Sequence, residues 1–138
     1  MVFEPITFLD LDEIRSLRPE GWSDIVTDYE FYINSTYCIP VKTKLNGVIV
    51  GIGSLIFFDK SSWIGHVIVA KNYGGRGIGY QTVVELLNIL KENSIETCSL
   101  IASEEGRPIY IKAGFRDVTE YVFMYREKTW QNTSINPN

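Results

Sequence analysis

Four glycines lie within six positions, at residues 74, 75, 77 and 79, where a run of β-branched residues passes into a helical pattern. Glycine loses more conformational freedom on folding than any other residue, so such a turn needs a compensating role. The helix that follows would present free main-chain N–H groups and the positive end of its dipole. Because no Cβ atoms obstruct these donors, the turn predicts a binding site for a phosphate or a diphosphate.

Two common phosphate-binding patterns fit this turn incompletely. The dinucleotide pattern G-x-G-x-x-G can begin at Gly75, but Tyr80 occupies the position of its third glycine, and no suitable acidic residue follows on a second parallel strand. The P-loop pattern can begin at Gly74, but Tyr80 and Gln81 replace its Lys and its Ser/Thr. Both patterns therefore lack the residues that carry their chemistry.

A third pattern fits the turn better. Residues 73–79 resemble the Tyr-Arg-Gly-x-Gly-Ile-Gly form of the pyrophosphate loop in the GNAT superfamily of acyl-CoA N-acyltransferases. The departure is Gly74, where that family usually has Arg or Gln. Arg76 is a candidate to compensate for the missing side chain.

A second stretch, residues 102–115, resembles a later motif of the same family. Ser103 stands at the usual Asn position and Gly106 at the usual Ala position, while Tyr110, Gly114 and Phe115 match directly. The resemblance covers about residues 40–127, and the order and spacing of the two motifs suit the family.

The resemblance implies acetyl-CoA as co-substrate and no metal. The strand before the glycine turn would splay from its neighbour, pair with the pantetheine arm and polarise the thioester carbonyl with one N–H group. Ser103 would contact the cofactor from the opposite side, or cap the following helix, or both. The implied cofactor-binding residues are Val67, Ile68, Val69, Gly74, Gly75, Arg76, Gly77, Ile78, Gly79, Tyr80 and Ser103.

Attack of an amine on a thioester leaves a thiolate that needs a proton. A phenol stays protonated until the thiolate appears, because its ordinary pKa is about 10 and that of a thiol is about 8.5. Tyr110 takes this role by its position in the motif, with a core tyrosine as the alternative. His66 adjoins the cofactor strand and is the candidate base, with a structural or solvent-facing histidine as the more common alternative. Asp28 and Glu30 are weaker candidates, and a further alternative is that an amine held in a low-dielectric cleft needs no single dedicated base.

Hydrophobic periodicity predicts the elements that position these residues. Helices are expected over 8–17, with Asp10 as cap and Glu13 completing a capping box, and over 22–34, with Ser23 as cap. Three strands joined by turns at Asn46-Gly47 and near Asp59 should form an antiparallel meander. The expected strands are 36–45, 47–58, 61–71, 95–102 and one or two within 115–125, and the later helices are one from residue 76 and one over 104–113, ended by Gly114.

The predicted fold class is α/β (α+β), a mixed and mostly antiparallel sheet flanked by helices in the order α-α-β-β-β-α-β-α-β(β). The length of 138 residues favours one domain, over 1–127, followed by a polar tail over 128–138.

Composition limits the classes of partner. The net charge is −4 and no long basic run occurs, so nucleic acid is not expected as the principal partner. No segment has the length of an apolar membrane span, and the acidic N-terminus does not resemble a signal peptide. Cys38 and Cys98 are expected to be reduced in a cytoplasmic protein. A homodimer is a further expectation, since small members of such families often pair.

The sequence therefore predicts an N-acetyltransferase that transfers an acetyl group from acetyl-CoA to a primary amine of a small molecule or peptide, by direct attack in a ternary complex. A non-catalytic acyl-CoA sensor on the same fold is the competing hypothesis, favoured by Gly74. A longer acyl chain is a third, which depends on the depth of the pocket beside Val69 and Tyr110.

Overall fold

A computed structural model of the chain describes residues 1–122, 124 and 126. The strands are β1 (Val2–Pro5), β2 (Cys38–Leu45), β3 (Val48–Phe58), β4 (Ser61–Val69) and β5 (Thr97–Ser99). The α-helices are α1 (Leu11–Arg15), α2 (Val26–Asn34), α3 (Ile78–Glu92) and α4 (Arg107–Lys112), and short 3-10 helices span Phe8–Asp10 and Lys71–Tyr73.

The five strands form one sheet in the order β1-β2-β3-β4-β5. All neighbours are antiparallel except β4 and β5, which are parallel. The fold class predicted from the sequence is therefore confirmed. The β2–β3 turn also follows the prediction, because Asn46 and Gly47 both adopt positive φ angles, of 51° and 81°, as a type I′ hairpin turn requires.

The sheet opens on one side of β4. Strand β5 pairs with β4 only from Ser61 to Trp63, so the rest of β4 has β3 as its one strand neighbour among the described residues. Pairing of β4 with β3 continues as far as Val69. Beyond Trp63, the edge of β4 that faces away from β3 therefore has no strand partner among the described residues, and we call the space beside this open edge the cleft.

Helices cover both faces of the sheet. On one face, α1 and α2 pack against Ile49, Ile52 and Ile68. On the other face, the apolar stripe of α3 packs against Leu55 and Ile64. The helix α3 lies very close to β3, because a Cβ atom at Gly53 would be only 2.9 Å from Leu86 Cδ1; this explains the glycines inside that strand.

Several details near the N-terminus differ from the sequence prediction. Strand β1 was not predicted; it pairs with β2 from Val2 to Pro5. The capping box is formed by Thr7 and Asp10. The Asp10 carboxylate accepts a hydrogen bond from the Thr7 N–H at 2.7 Å. Glu13 does not complete a box, because its Oε1 accepts the Ile49 N–H of β3 at 2.9 Å.

The second helix and the later elements are shorter than predicted. Helix α2 begins at Val26, and Asp24 rather than Ser23 accepts the Val26 N–H, at 3.1 Å. Strand β5 and helix α4 span only Thr97–Ser99 and Arg107–Lys112, while Gly114 ends the last turn with a φ of 100° as expected. Residues 115–122 contain no strand. The remainder of the predicted final strand, Phe123 and Tyr125 included, and the tail over 128–138 lie outside the described residues.

Candidate active site

The glycine turn ends in a helix whose first donors are free. Gly75 and Gly77 adopt positive φ angles of 74° and 76°, and Gly77 is the N-cap residue of α3, with no side-chain cap. Gln81 N–H makes the first hydrogen bond of the helix, to the Gly77 carbonyl at 3.0 Å. Within the described part of the chain, no main-chain carbonyl accepts a bond from the N–H groups of residues 74–80. These donors and the helix dipole form a cradle suited to an anion.

Two residues of the loop bear on the departure from the family pattern: Gly74, which replaces the usual Arg or Gln, and Arg76, the candidate to compensate for it. Gly74 has φ −59° and ψ 152°, a conformation that any residue adopts, and a Cβ there would meet only the Lys71 carbonyl at 3.7 Å. The guanidinium of Arg76 lies over the ring of Tyr73, 5.1 Å from its centroid. Neither position is blocked from a ligand on the loop.

Gly79 lies where three elements meet. A Cβ atom at this position would be 2.9 Å from Ile109 Cδ1 of α4 and 3.3 Å from Val69 Cγ2 of β4. On the next residue, the ring of Tyr80 has Lys112 Nζ of α4 at 4.3 Å from its centroid. The start of α3 therefore adjoins both the end of β4 and the helix that carries Tyr110, while Ile78 is buried beneath it.

The open edge of β4 offers main-chain groups of particular residues. Ala70 N–H donates to the Val50 carbonyl at 2.8 Å, and Ile68 pairs with Ile52 of β3. Since main-chain groups alternate along a strand, those of Val67 and Val69 are directed to the opposite edge, toward the cleft. Ile68 is directed to β3, and its side chain lies in the core beside α2.

Tyr110 and Ser103 lie together on and before α4. The ring of Tyr110 is half-buried and packs edge-on against Phe115, with centroids 5.9 Å apart. Burial raises the pKa of the Tyr110 phenol above its ordinary value. Ser103 Oγ accepts the Gly106 N–H at 3.1 Å, and its carbonyl accepts the Arg107 N–H at 2.9 Å. Ser103 thus stabilises the turn before this helix, whose N-cap is Gly106, and its exposed position keeps it open to a ligand.

His66 lies in a bulge of β4. Ile52 pairs with Ile68 and Ser54 pairs with Gly65, so Gly53 alone is opposite two residues, His66 and Val67. His66 has a positive φ of 51°, and its ring points to the α2 side of the sheet.

Four side chains surround the His66 ring. Tyr32 Oη lies 2.8 Å from Nδ1, and an Asp28 carboxylate oxygen lies 3.5 Å from Nε2. The rings of Trp22 and Tyr29 lie edge-on, with centroids 6.3 and 6.1 Å from that of His66. We call this group the His66 cluster. No local sequence signal links Tyr29 and Tyr32 of α2 to a histidine more than 30 positions away.

Two further findings concern the described residues. No group of three or more His, Cys, Asp or Glu side chains is arranged there to hold a metal ion. None of the helices in that part of the chain combines the length and the hydrophobicity that crossing a bilayer requires.

Comparison with known proteins identifies the family. Residues 7–115 match the model of the Acetyltransferase (GNAT) family. A 104-residue region is 29% identical to the glucosamine 6-phosphate N-acetyltransferase of Candida albicans, which corresponds to 70% of this chain and 64% of that protein. The chain thus spans slightly less than two-thirds of the length of this relative.

Solved structures share the fold. A protein from Clostridium acetobutylicum described as a predicted acetyltransferase, solved with acetyl-CoA, matches with a TM-score of 0.72 at 21% identity, over 90% of this chain and 95% of that one. The ribosomal-protein-S18-alanine N-acetyltransferase of Escherichia coli matches with a TM-score of 0.74 at 14% identity, over 86% and 79% of the two chains. Together with the matched family model, the glycine loop and the open edge of β4 place this chain in the GNAT family of acetyltransferases.

Proposed function

We propose that this protein transfers an acetyl group from acetyl-CoA to the primary amine of a small molecule or peptide, by direct attack in a ternary complex. The observation that carries the proposal is the row of N–H groups over residues 74–80, which have no main-chain acceptor in the described part of the chain and which adjoin the open edge of β4. A diphosphate needs such donors, and an extended pantetheine arm needs an unpaired strand edge. The N–H groups of the glycine loop and the open edge of β4 lie next to each other, which supports the binding of one acetyl-CoA molecule across both.

The cofactor-binding residues follow from these positions. The diphosphate binds the N–H groups from Gly74 to Tyr80, with Arg76 beside them. Val67 and Val69 supply main-chain partners for the pantetheine arm, whereas the main chain of Ile68 is directed to β3. Ser103 contacts the cofactor from the other side through its hydroxyl group.

The chemistry requires two proton transfers. Acetyl-CoA supplies the activated acyl group as a thioester. The amine nitrogen forms a bond to the acyl carbon as the C–S bond breaks, and Tyr110 donates its phenolic proton to the thiolate that leaves. The nitrogen loses a proton to the candidate base His66, whose Nε2 has an Asp28 carboxylate oxygen at 3.5 Å.

The relatives suggest which amines to test first. The Candida relative is named for glucosamine 6-phosphate, and the Escherichia structure for an alanine of a ribosomal protein. An amino sugar phosphate and a peptide with an N-terminal alanine therefore lead a panel of amines, with release of CoA as the measured signal.

Isothermal titration with acetyl-CoA tests the binding site directly, and a Gly75→Asp variant sharpens the test. A carboxylate at residue 75 should repel the diphosphate and abolish measurable binding. Gly47→Asp is a matched control, because both glycines have positive φ and open space around the missing Cβ, but Gly47 lies in the β2–β3 turn. Absence of acetyl-CoA binding to the unaltered protein would refute the proposal.

The competing function is a non-catalytic acyl-CoA sensor, and Gly74 is the observation that favours it. A sensor would bind acetyl-CoA without releasing CoA in the presence of any amine in the panel. The two functions are therefore separated by turnover rather than by affinity.

A further inference from the structure

The main chain at His66 adopts a conformation that its side chain does not favour. A non-glycine residue at positive φ is uncommon, because the left-handed conformation brings its Cβ atom close to the following carbonyl oxygen. The bulge that results has a structural effect, because a shift of one residue along a strand exchanges the directions of all residues that follow. It therefore determines that Val67 and Val69, rather than Ile68, direct their main-chain groups to the cleft.

Two tyrosines of α2 contact His66, one at its main-chain carbonyl and the other at its ring. Tyr29 is fully buried, and its hydroxyl donates to the His66 carbonyl at 3.0 Å. Tyr32 is also buried, and its hydroxyl lies 2.8 Å from His66 Nδ1. One tyrosine thus contacts the strained main chain, and the other contacts the ring.

The surroundings decide the direction of the bond between Tyr32 and His66. An ionised carboxylate only accepts hydrogen bonds, so Asp28 favours a proton on Nε2 of the ring. Nδ1 of the neutral imidazole then has a free electron pair, and Tyr32 must be the donor. Burial, followed by the charge of Asp28, raises the pKa of Tyr32 to about 12, which keeps this hydroxyl protonated.

We propose that Tyr29 and Tyr32 are positioning residues for His66. Tyr29 holds the left-handed main chain through the carbonyl group, and Tyr32 holds the neutral ring in the form protonated at Nε2. The consequence for acetyl transfer rests on the proposed function, in which the proton of the amine reaches Nδ1 of His66 through the Tyr32 hydroxyl. That hydroxyl gives its own proton to the ring as it takes the proton of the amine, while the bulge directs Val67 and Val69 to the cleft. The hydrogen bonds themselves do not depend on it.

The ring form can be measured without activity, because His66 is the only histidine of the chain. Long-range ¹H–¹⁵N correlation spectra, recorded where the imidazole is neutral, should show a protonated Nε2 and an unprotonated Nδ1. Tyr32→Phe should convert this spectrum to a mixture of both forms. The control Tyr37→Phe alters an exposed tyrosine and should leave the spectrum unchanged. A proton on Nδ1 in the unaltered protein, or an unchanged spectrum in Tyr32→Phe, would overturn the role of Tyr32.

Binding of acetyl-CoA tests the role of Tyr29. Tyr29→Phe removes only the buried hydroxyl, and we expect acetyl-CoA to bind several-fold more weakly because the bulge relaxes. A second change, His66→Gly, should recover the affinity, since glycine adopts positive φ without support. Equal loss with and without His66→Gly would contradict this role.

Kinetics separate positioning from simple stabilisation. Tyr32→Phe should lower kcat at least about tenfold, with KM for acetyl-CoA within about twofold. A fall in yield of folded protein with unchanged kcat would show a merely structural role. If the unaltered protein acetylates no amine, the proposed function fails, while the spectra of the His66 ring still decide whether Tyr32 positions it.

Discussion

Tyr110 lies on the short helix α4 and is the proton donor of the proposed function, and its half-buried ring decides its protonation state. Burial disfavours the charged phenolate, so the pKa of Tyr110 lies above its ordinary value. The group therefore remains protonated through the neutral and mildly alkaline range. In the proposed function it gives this proton to the thiolate that leaves.

Replacement of Tyr110 by Phe removes the donor and keeps most of the packing against Phe115. We expect kcat to fall by about 10²-fold or more, the usual contribution of a general acid, while the dissociation constant for acetyl-CoA stays unchanged. Steady-state kinetics and calorimetry measure the two effects, with Tyr37→Phe as a remote control. An unaltered kcat would exclude Tyr110 as the donor.

Gly74 offers a gain-of-function test on the same loop. Its φ of −59° and the absence of close neighbours mean that a longer side chain fits without strain. An arginine there would add a charge-assisted hydrogen bond to a diphosphate, worth roughly 1.5–3 kcal/mol. Gly74→Arg should therefore bind acetyl-CoA about tenfold more tightly or better.

Gly74→Ala is the matched control for this prediction, since it adds a side chain without charge. Calorimetry on both variants separates the effect of the guanidinium from the effect of occupying the position. Equal affinity in the two variants would show that the diphosphate does not lie near residue 74.

At the level of elements, the start of α3 depends on a left-handed N-cap. Gly77 has a φ of 76°, and nothing lies within 4 Å of where its Cβ would be. Gly77→Ala should therefore lower the free energy of unfolding by roughly 1–2 kcal/mol through main-chain strain alone. Gly74→Ala, at negative φ, should change it by less than about 0.5 kcal/mol. Urea denaturation measures both, and equal effects would contradict the strain argument.

At the level of the whole molecule, a largely buried ion pair joins the N-terminal segment to the sheet. Lys42 Nζ of β2 lies 2.7 and 2.8 Å from the Asp10 carboxylate oxygens, and 3.7 Å from Glu4 Oε2. The side chains of Lys42 and Asp10 are only 10% and 14% exposed. Removal of one partner leaves the other charge buried without its main counter-charge.

Asp10→Ala should accordingly destabilise the protein by about 3 kcal/mol, whereas the double variant Asp10→Ala/Lys42→Met should recover part of this loss. Chemical denaturation of the two variants and the unaltered protein measures the difference. A double variant no more stable than Asp10→Ala would contradict the argument.

The same pair predicts a pH dependence. Burial by itself raises the pKa of Asp10, but the hydrogen bond and charge of Lys42 and the bonds from Thr7 outweigh it, and the pKa lies below 3.8. The unfolded chain binds the proton more readily, so the contribution of Asp10 is present above pH 3.8 and is lost as the pH falls through its lowered pKa. Asp10→Ala should show a shallower loss of stability in this acidic range.

Local chemistry allowed much of the fold to be predicted. The Asn46-Gly47 turn, the alternating strands around it and the apolar stripe of α3 are local patterns, and each formed as expected. Strand β1 escaped prediction because four residues give too short a pattern. The sequence predicts the capping box three residues too late, at Asp10 and Glu13, because this pair has the same spacing as Thr7 and Asp10. Glu13 instead contacts β3.

The sequence alone determined the glycine loop and the class of sheet, since both depend on residue types at short spacing. Only the tertiary structure decided what surrounds His66, because Tyr32 and Asp28 come from a helix more than 30 residues earlier. Likewise, the bulge decided which main-chain groups of β4 are directed to the cleft. A one-residue offset between paired strands reverses these directions, and it leaves no mark in the period of the strand itself.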